Sequence, residues 1–167
     1  TSQTLNVEGT KLVAMADAFA NNLESAHKQL NTAFGEKVDV PKSRQFVGFD
    51  AYKAAIDAAD VVILTTPPAF RPAHFEYAVA QGKHVFMEKP VATDAAGIRK
   101  VLDAARKADE KKLKVVVGLQ RRYDEAYIET AKRLHDGAIG DIFSAQCYWN
   151  SGGVWVKDRK PGMTEME

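Results

Sequence analysis

The sequence predicts an α/β fold built on a buried parallel sheet, and three observations carry that prediction. Four short runs, "LVAMA" (12–16), "VVIL" (61–64), "HVFM" (84–87) and "VVVGL" (115–119), are continuously apolar rather than alternating with polar residues. Runs of this length and character suit strands covered on both faces. Stripes with helical spacing fill the stretches between them, and strand alternating with helix implies parallel pairing through right-handed crossovers. Past residue 120 the texture changes, which marks a second domain.

The first run is followed by Phe19, Leu23, Ala26 and Leu30, which line one face of a helix. A weaker strand candidate, "RQFVGF" (44–49), lies before the second run. Phe75, Ala78, Val79 and Gly82 form the next stripe, with Pro72 suited to a helix's first turn. Ile98, Val101, Leu102, Ala105 and Ala108 mark a longer helix whose start is favoured by Thr93 and Asp94. A helical stretch over about 123–136 leads to the turn signal "DGAIGD", and "IFSAQCYWN" (142–150) then reads as a strand with unequal faces. The tail "SGGVWVKDRKPGMTEME" has glycine and proline punctuation without a period and reads as loop.

Composition narrows the partners. The 167 residues suffice for a domain core, 46% are apolar and 27% charged, and the net charge is +1 with both signs mixed along the chain. Nothing electrostatic points to nucleic acid or to an anionic membrane, and no apolar stretch approaches the length of a bilayer span. The lone Cys147 excludes an internal disulfide framework. His27, His74, His84 and His135 are scattered without ligand spacing, so no metal is expected. The chain opens without Met and without a signal peptide; the compartment stays open, with the cytoplasm favoured.

Ligands of open parallel sheets collect beyond the carboxyl ends of the strands. The residues after each apolar run are therefore the candidates. Asp17 follows the first run; it can accept hydrogen bonds from a ribose and repel a 2′-phosphate, or it can cap the following helix, and both readings stay open. "TTPP" (65–68) follows the second, with hydroxyls and a rigid backbone that serve a flat ligand or simply a turn. "EKP" (88–90) follows the third, and "QRRY" (120–123) follows the last. Buried charges are costly unless paired or used, and Glu88 and Lys89 at a crevice mouth can meet solvent, each other or a ligand. Desolvation there can fit a lysine amine to exchange a proton with a substrate hydroxyl, and Pro90 restricts the residue before it. A surface ion pair at a strand end is the plainer alternative.

Spacing raises the functional reading. "TTPPAFRPAHFEYAVAQGKHVFMEKPVATD", with the later "GLQRRY" and "GAIGDIFSAQCYW", resembles the Gfo/Idh/MocA family, the glucose–fructose oxidoreductase and inositol dehydrogenase group. The resemblance implies an incomplete Rossmann-type parallel sheet with flanking helices over 1–122. It implies the start of an antiparallel α+β substrate and oligomerisation domain over 123–167. It also implies an oxidoreductase that passes hydride between the hydroxyl-bearing carbon of a sugar or polyol and NAD, with NADP the less favoured cofactor. In that reading Asp17 is the ribose-binding acid. Thr65, Thr66 and Pro67 line the cofactor, and His74, the histidine of the helix that follows, is a cofactor-binding residue as well. Glu88 contacts the nicotinamide end, Gln120 lines its pocket, and Arg122 reaches the substrate. Lys89 touches cofactor and substrate and is the catalytic residue, assisting loss of the hydroxyl proton.

Two departures accompany the likeness. No G-x-G-x-x-G turn precedes "LVAMA", so the first run stands second in the strand order 3-2-1-4-5-6 and the central strand is lacking. The family's histidine of the substrate domain is lacking as well. The chain is thus expected to be a fragment of a protein that is a homo-oligomer when whole, and to bind NAD weakly by itself. Two other readings are a family member using NAD in glycoside hydrolysis, and a non-catalytic binding or scaffold module.

Overall fold

A computed structural model describes residues 1–153 and 158–164. Two compact units divide the chain, 1–123 and 124–167. The first opens with a short helix α1 (Ser2–Leu5), then β1 (Met15–Asp17), α2 (Ala20–Phe34), β2 (Gln45–Val47), α3 (Ala51–Asp57) and β3 (Val61–Leu64). It continues with α4 (Arg71–Ala80), β4 (His84–Met87), α5 (Ala95–Glu110) and β5 (Val115–Val117), and ends in a 3₁₀ turn over Gln120–Tyr123.

All strand pairs are parallel, but they form two sheets: β1 with β2, and β3–β4–β5. The break falls where the sequence lacks a central strand, between the first and second apolar runs. Within the larger sheet Leu64 pairs with Met87 and Met87 with Val117, so three carboxyl ends finish level. The first run is shorter as a strand than it reads. Only Met15–Asp17 pairs, and Leu12 makes an isolated bridge to Val38.

The expectation of strands covered on both faces is corrected. In β3 and β4 burial alternates: Val62, Leu64, Val85 and Met87 are buried, while Ile63 and Phe86 are half-buried and Val61 is 54% exposed. Helices α4 and α5 pack together, and the buried side chains of β3 and β4 join Phe75, Ala78, Val79, Val101, Ala104 and Ala108 from those helices. One face of the sheet thus carries the core.

Local chemistry explains the helix starts. Asp94 caps α5 as expected, accepting a hydrogen bond from Gly97 N at 2.6 Å. Pro72 sits in the first turn of α4, where a missing N–H costs nothing. Helix α3 is not singled out by any sequence signal: it has seven residues, and Asp50 before it pairs with Lys53 instead of capping.

The second unit holds α6 (Glu125–His135), whose Asp124 accepts from Ala126 N at 3.0 Å. The strand expected over 142–150 does not form. No strand of the described residues pairs with it, and Phe143 is 94% exposed with Tyr148 and Trp149 also open. An isolated extended segment has no ladder to satisfy its backbone. Of the tail, 151–153 and 158–164 are irregular or turn; 154–157 and 165–167 lie outside the described residues.

Candidate functional site

The level carboxyl ends of β3, β4 and β5 bring three sequence candidates to one edge of the sheet, Thr65–Pro68, Glu88–Pro90 and the segment opening at Gln120, which follows Gly118 and Leu119. The backbone stitches their roots together. Glu88 N donates to Leu64 O at 3.0 Å, and Gly118 N donates to Met87 O at 2.8 Å.

Thr66 is held from behind. Its Oγ1 lies 3.2 Å from His74 Nδ1, and the two share a hydrogen bond. His74, only 7% exposed, stacks on Tyr52 with ring centroids 4.0 Å apart and more loosely on Phe70. It therefore acts on the crevice through Thr66 rather than by standing in it. Burial, and then the Arg71 charge, push its pKa below the ordinary histidine value. The unfolded chain takes up this proton before the folded one does. The stability held in a neutral His74 is thus complete above the free-histidine range and is lost as pH falls through it. Urea unfolding between about pH 7 and about pH 5 should show stability dropping with pH, and His74→Gln should flatten that slope. Equal slopes in the two proteins would exclude the ring as the group responsible.

Glu88 is half-buried and leans over Gly118: a Cβ placed on that glycine would stand 2.9 Å from Oε1 and 3.0 Å from Oε2. Gly118 is thus small because the carboxylate occupies the space a side chain would need. The Glu88 carboxylate also accepts from Lys89 N at 3.3 Å. Lys89 is exposed, with a cis bond to Pro90, so the described residues do not desolvate its amine as the sequence led one to expect. Gln120 and Arg122 lie on the exposed 3₁₀ turn after β5.

Asp17 ends β1, in the other sheet. Its Oδ1 accepts from Phe19 N at 2.9 Å and Asn22 Nδ2 at 3.5 Å. The helix-cap alternative falls, because Phe19 occupies the N-cap of α2. Asp17 closes a turn before the helix and keeps Oδ2 as an acceptor.

Sequence reasoning missed Arg71. It is 2% exposed, and its guanidinium donates from Nη1 to Pro90 O and from Nη2 to Thr66 O. A signal was available: a cation next to Pro72 inside the largely apolar "AFRPAHF" has to be paired if the segment packs.

Open α/β sheets bind their ligands beyond the carboxyl ends of the parallel strands, and the fold places the chain among the parallel-sheet α/β domains with polar groups at that edge. Residues 3–119 match the Gfo/Idh/MocA model, described as an oxidoreductase family with an NAD-binding Rossmann fold, and the chain belongs to that family. It is 37% identical over 145 residues to inositol 2-dehydrogenase of Klebsiella pneumoniae (strain 342), covering 84% of this chain and 38% of that protein. It is 35% identical over 142 residues to inositol 2-dehydrogenase/D-chiro-inositol 3-dehydrogenase of Halalkalibacterium halodurans, covering 84% of this chain and 37% of that one. Among solved structures it resembles myo-inositol 2-dehydrogenase from Lactobacillus plantarum, with a TM-score of 0.65 at 27% identity, over 84% of this chain and 38% of that one. It also resembles scyllo-inositol dehydrogenase from Lactobacillus casei with bound NAD(H) and scyllo-inositol, with a TM-score of 0.64 at 25% identity and the same coverage. The chain therefore spans less than two fifths of the length of these relatives.

The residues present fit the two ends of a dinucleotide. Asp17 Oδ2 can take a ribose hydroxyl, and the edge formed by Thr66, Glu88 and Gly118 can face a nicotinamide ring. They do not fit its middle, since no glycine of the described residues forms a phosphate-cradling turn between a strand and the helix after it. No group of three or more His, Cys, Asp or Glu among the described residues could hold a metal. No described helix is long and apolar enough to cross a membrane.

Proposed function

We propose that this chain is the cofactor-side part of an NAD-dependent polyol dehydrogenase, with 1–122 serving the dinucleotide and 123–167 beginning the substrate domain. The observation that carries the reading is the shared edge of β3, β4 and β5, where Thr66, Glu88 and Lys89 stand side by side. The split of the chain at Tyr123 and the inositol dehydrogenase matches support it. Those matches favour hydride transfer over glycoside hydrolysis.

Bound nicotinamide supplies a hydride acceptor. This chain's own groups do the rest. Lys89 Nζ receives the proton of the substrate hydroxyl while the carbon bearing that hydroxyl gives up hydride, so the alcohol becomes a ketone. Glu88 precedes Lys89, with its carboxylate lying over Gly118. Thr66, braced by His74, shapes the wall facing the ring. Asp17 holds the far ribose, and its charge disfavours a 2′-phosphate.

The test is NADH formation from NAD and myo-inositol by the natural protein that carries this chain. Asp17→Ser should raise KM for NAD by about tenfold, the worth of one charged hydrogen-bond acceptor, and narrow the preference for NAD over NADP. A variant with unchanged KM for both cofactors would remove Asp17 from the site.

A further inference from the structure

We propose that Arg71 is a positioning residue that ties the loop after β3 to the loop after β4, so that Thr66 and Lys89 are held as one unit. The catalytic consequence rests on the dehydrogenase reading; the tie itself does not.

Backbone donors are missing where the two loops leave the sheet. Pro67, Pro68 and Pro90 have no N–H, so past Glu88 the two loops cannot continue the backbone ladder that joins β3 to β4. The carbonyls of Thr66 and Pro90 both need donors from elsewhere. Arg71 supplies them from a single side chain, one nitrogen of its fork to each carbonyl. The bonded residues lie 5 and 19 positions away along the chain.

Only a forked cation does this. A lysine ammonium is a point donor and a glutamine amide is shorter; the planar guanidinium spans two acceptors at fixed separation. The side chain gives something up in the process. Nε is buried without a partner among the described residues, although most buried donors find one. The head is placed to suit the two carbonyls, not to satisfy the whole group. Burial opposes the charge and the nearby Glu88 carboxylate favours it, so the cation also links the tie to the acid of the crevice. Arg71 sits in the first turn of α4, one turn ahead of His74, and this single turn therefore braces both the side chain and the carbonyl of Thr66.

Hydrogen exchange and steady-state kinetics of the natural protein, wild type and Arg71→Lys, test the proposal. Lysine keeps the charge but engages one carbonyl at a time. Amides of Thr65, Thr66, Lys89 and Val91 should exchange faster together in Arg71→Lys, while those of β4 stay protected. With myo-inositol, kcat should fall about 30-fold with KM for the polyol changed little, as expected when groups are misplaced by a fraction of an ångström. A general loss of stability with the loop amides and kcat unmoved in the folded fraction would make Arg71 a packing residue and overturn the proposal. Faster exchange in one loop alone would overturn it too. If Arg71→Lys does not fold, exchange of the wild type in rising denaturant decides: both loops must open in one event with the same denaturant dependence, and separate openings sink the tie. If wild type forms no NADH with any polyol yet the loops open together, the tie stands and the dehydrogenase reading is what fails.

Discussion

Lys89→Ala in the natural protein should lower kcat/KM for polyol oxidation by about a thousandfold while leaving the fold intact. The reaction must remove a proton from a hydroxyl whose carbon gives up hydride, and among the groups at the β3–β5 edge the lysine amine is the one suited to receive it. Thr66 and its histidine are committed to each other, and Glu88 is turned toward Gly118 and its own neighbour's amide. The fold does not depend on Lys89. It is exposed, and its amine makes no hydrogen bond or ion pair among the described residues. Activity and stability are therefore separable at this position. Steady-state NADH formation and thermal unfolding of the same preparation check both halves. A variant that keeps its activity would turn the site into a binding module or move the base elsewhere in the protein. A variant that loses its fold would contradict the exposure seen here.

The largest stability effect should come from Phe75→Ala, a loss of about 3–5 kcal/mol. Phe75 is 0% exposed and is one of the bulkiest wholly buried side chains. It lies among the buried side chains of α4, α5, β3 and β4, so truncation opens a cavity where four elements meet. Single domains are stable by only about 5–15 kcal/mol, so most of that margin is at stake. Leu102, on the exposed face of α5, is the control: Leu102→Ala should change stability by about 0.5 kcal/mol or less. Equal costs in urea unfolding for the two changes would show that the core has been wrongly placed. Phe75 also follows His74 directly, so its loss should loosen Thr66 and lower activity in whatever fraction remains folded.

The parts of the fold that could be read in advance share a physical property. Helices α4 and α5 announce themselves through stripes that repeat every turn and through Pro72 and Asp94 at their starts, all within one element. The break between the two sheets was legible too, because the lack of a glycine turn removes a central strand from the order. Signals failed where a neighbour had to supply the outcome. The segment 142–150 has strand composition, but composition cannot provide a pairing partner. Helix α3 is too short to show a period, and its formation rests on packing against β1 and β2. One-sided burial of β3 and β4 escaped notice because valine and isoleucine suit a half-covered strand as well as a covered one.

The order of chemistry along the chain, acid at the end of β1, threonines and prolines after β3, Glu-Lys-Pro after β4, was determined by the sequence alone, and the last two groups share an edge because paired parallel strands of one sheet end together. Tertiary structure decided what those groups lean on. Arg71 reaches two carbonyls on different loops, His74 reaches Thr66 across a helical turn, and Glu88 fills the space left by Gly118. Each of these contacts joins residues from separate elements. Their distance and direction are set by how α4 lies on the sheet, a quantity that no local pattern of residues contains.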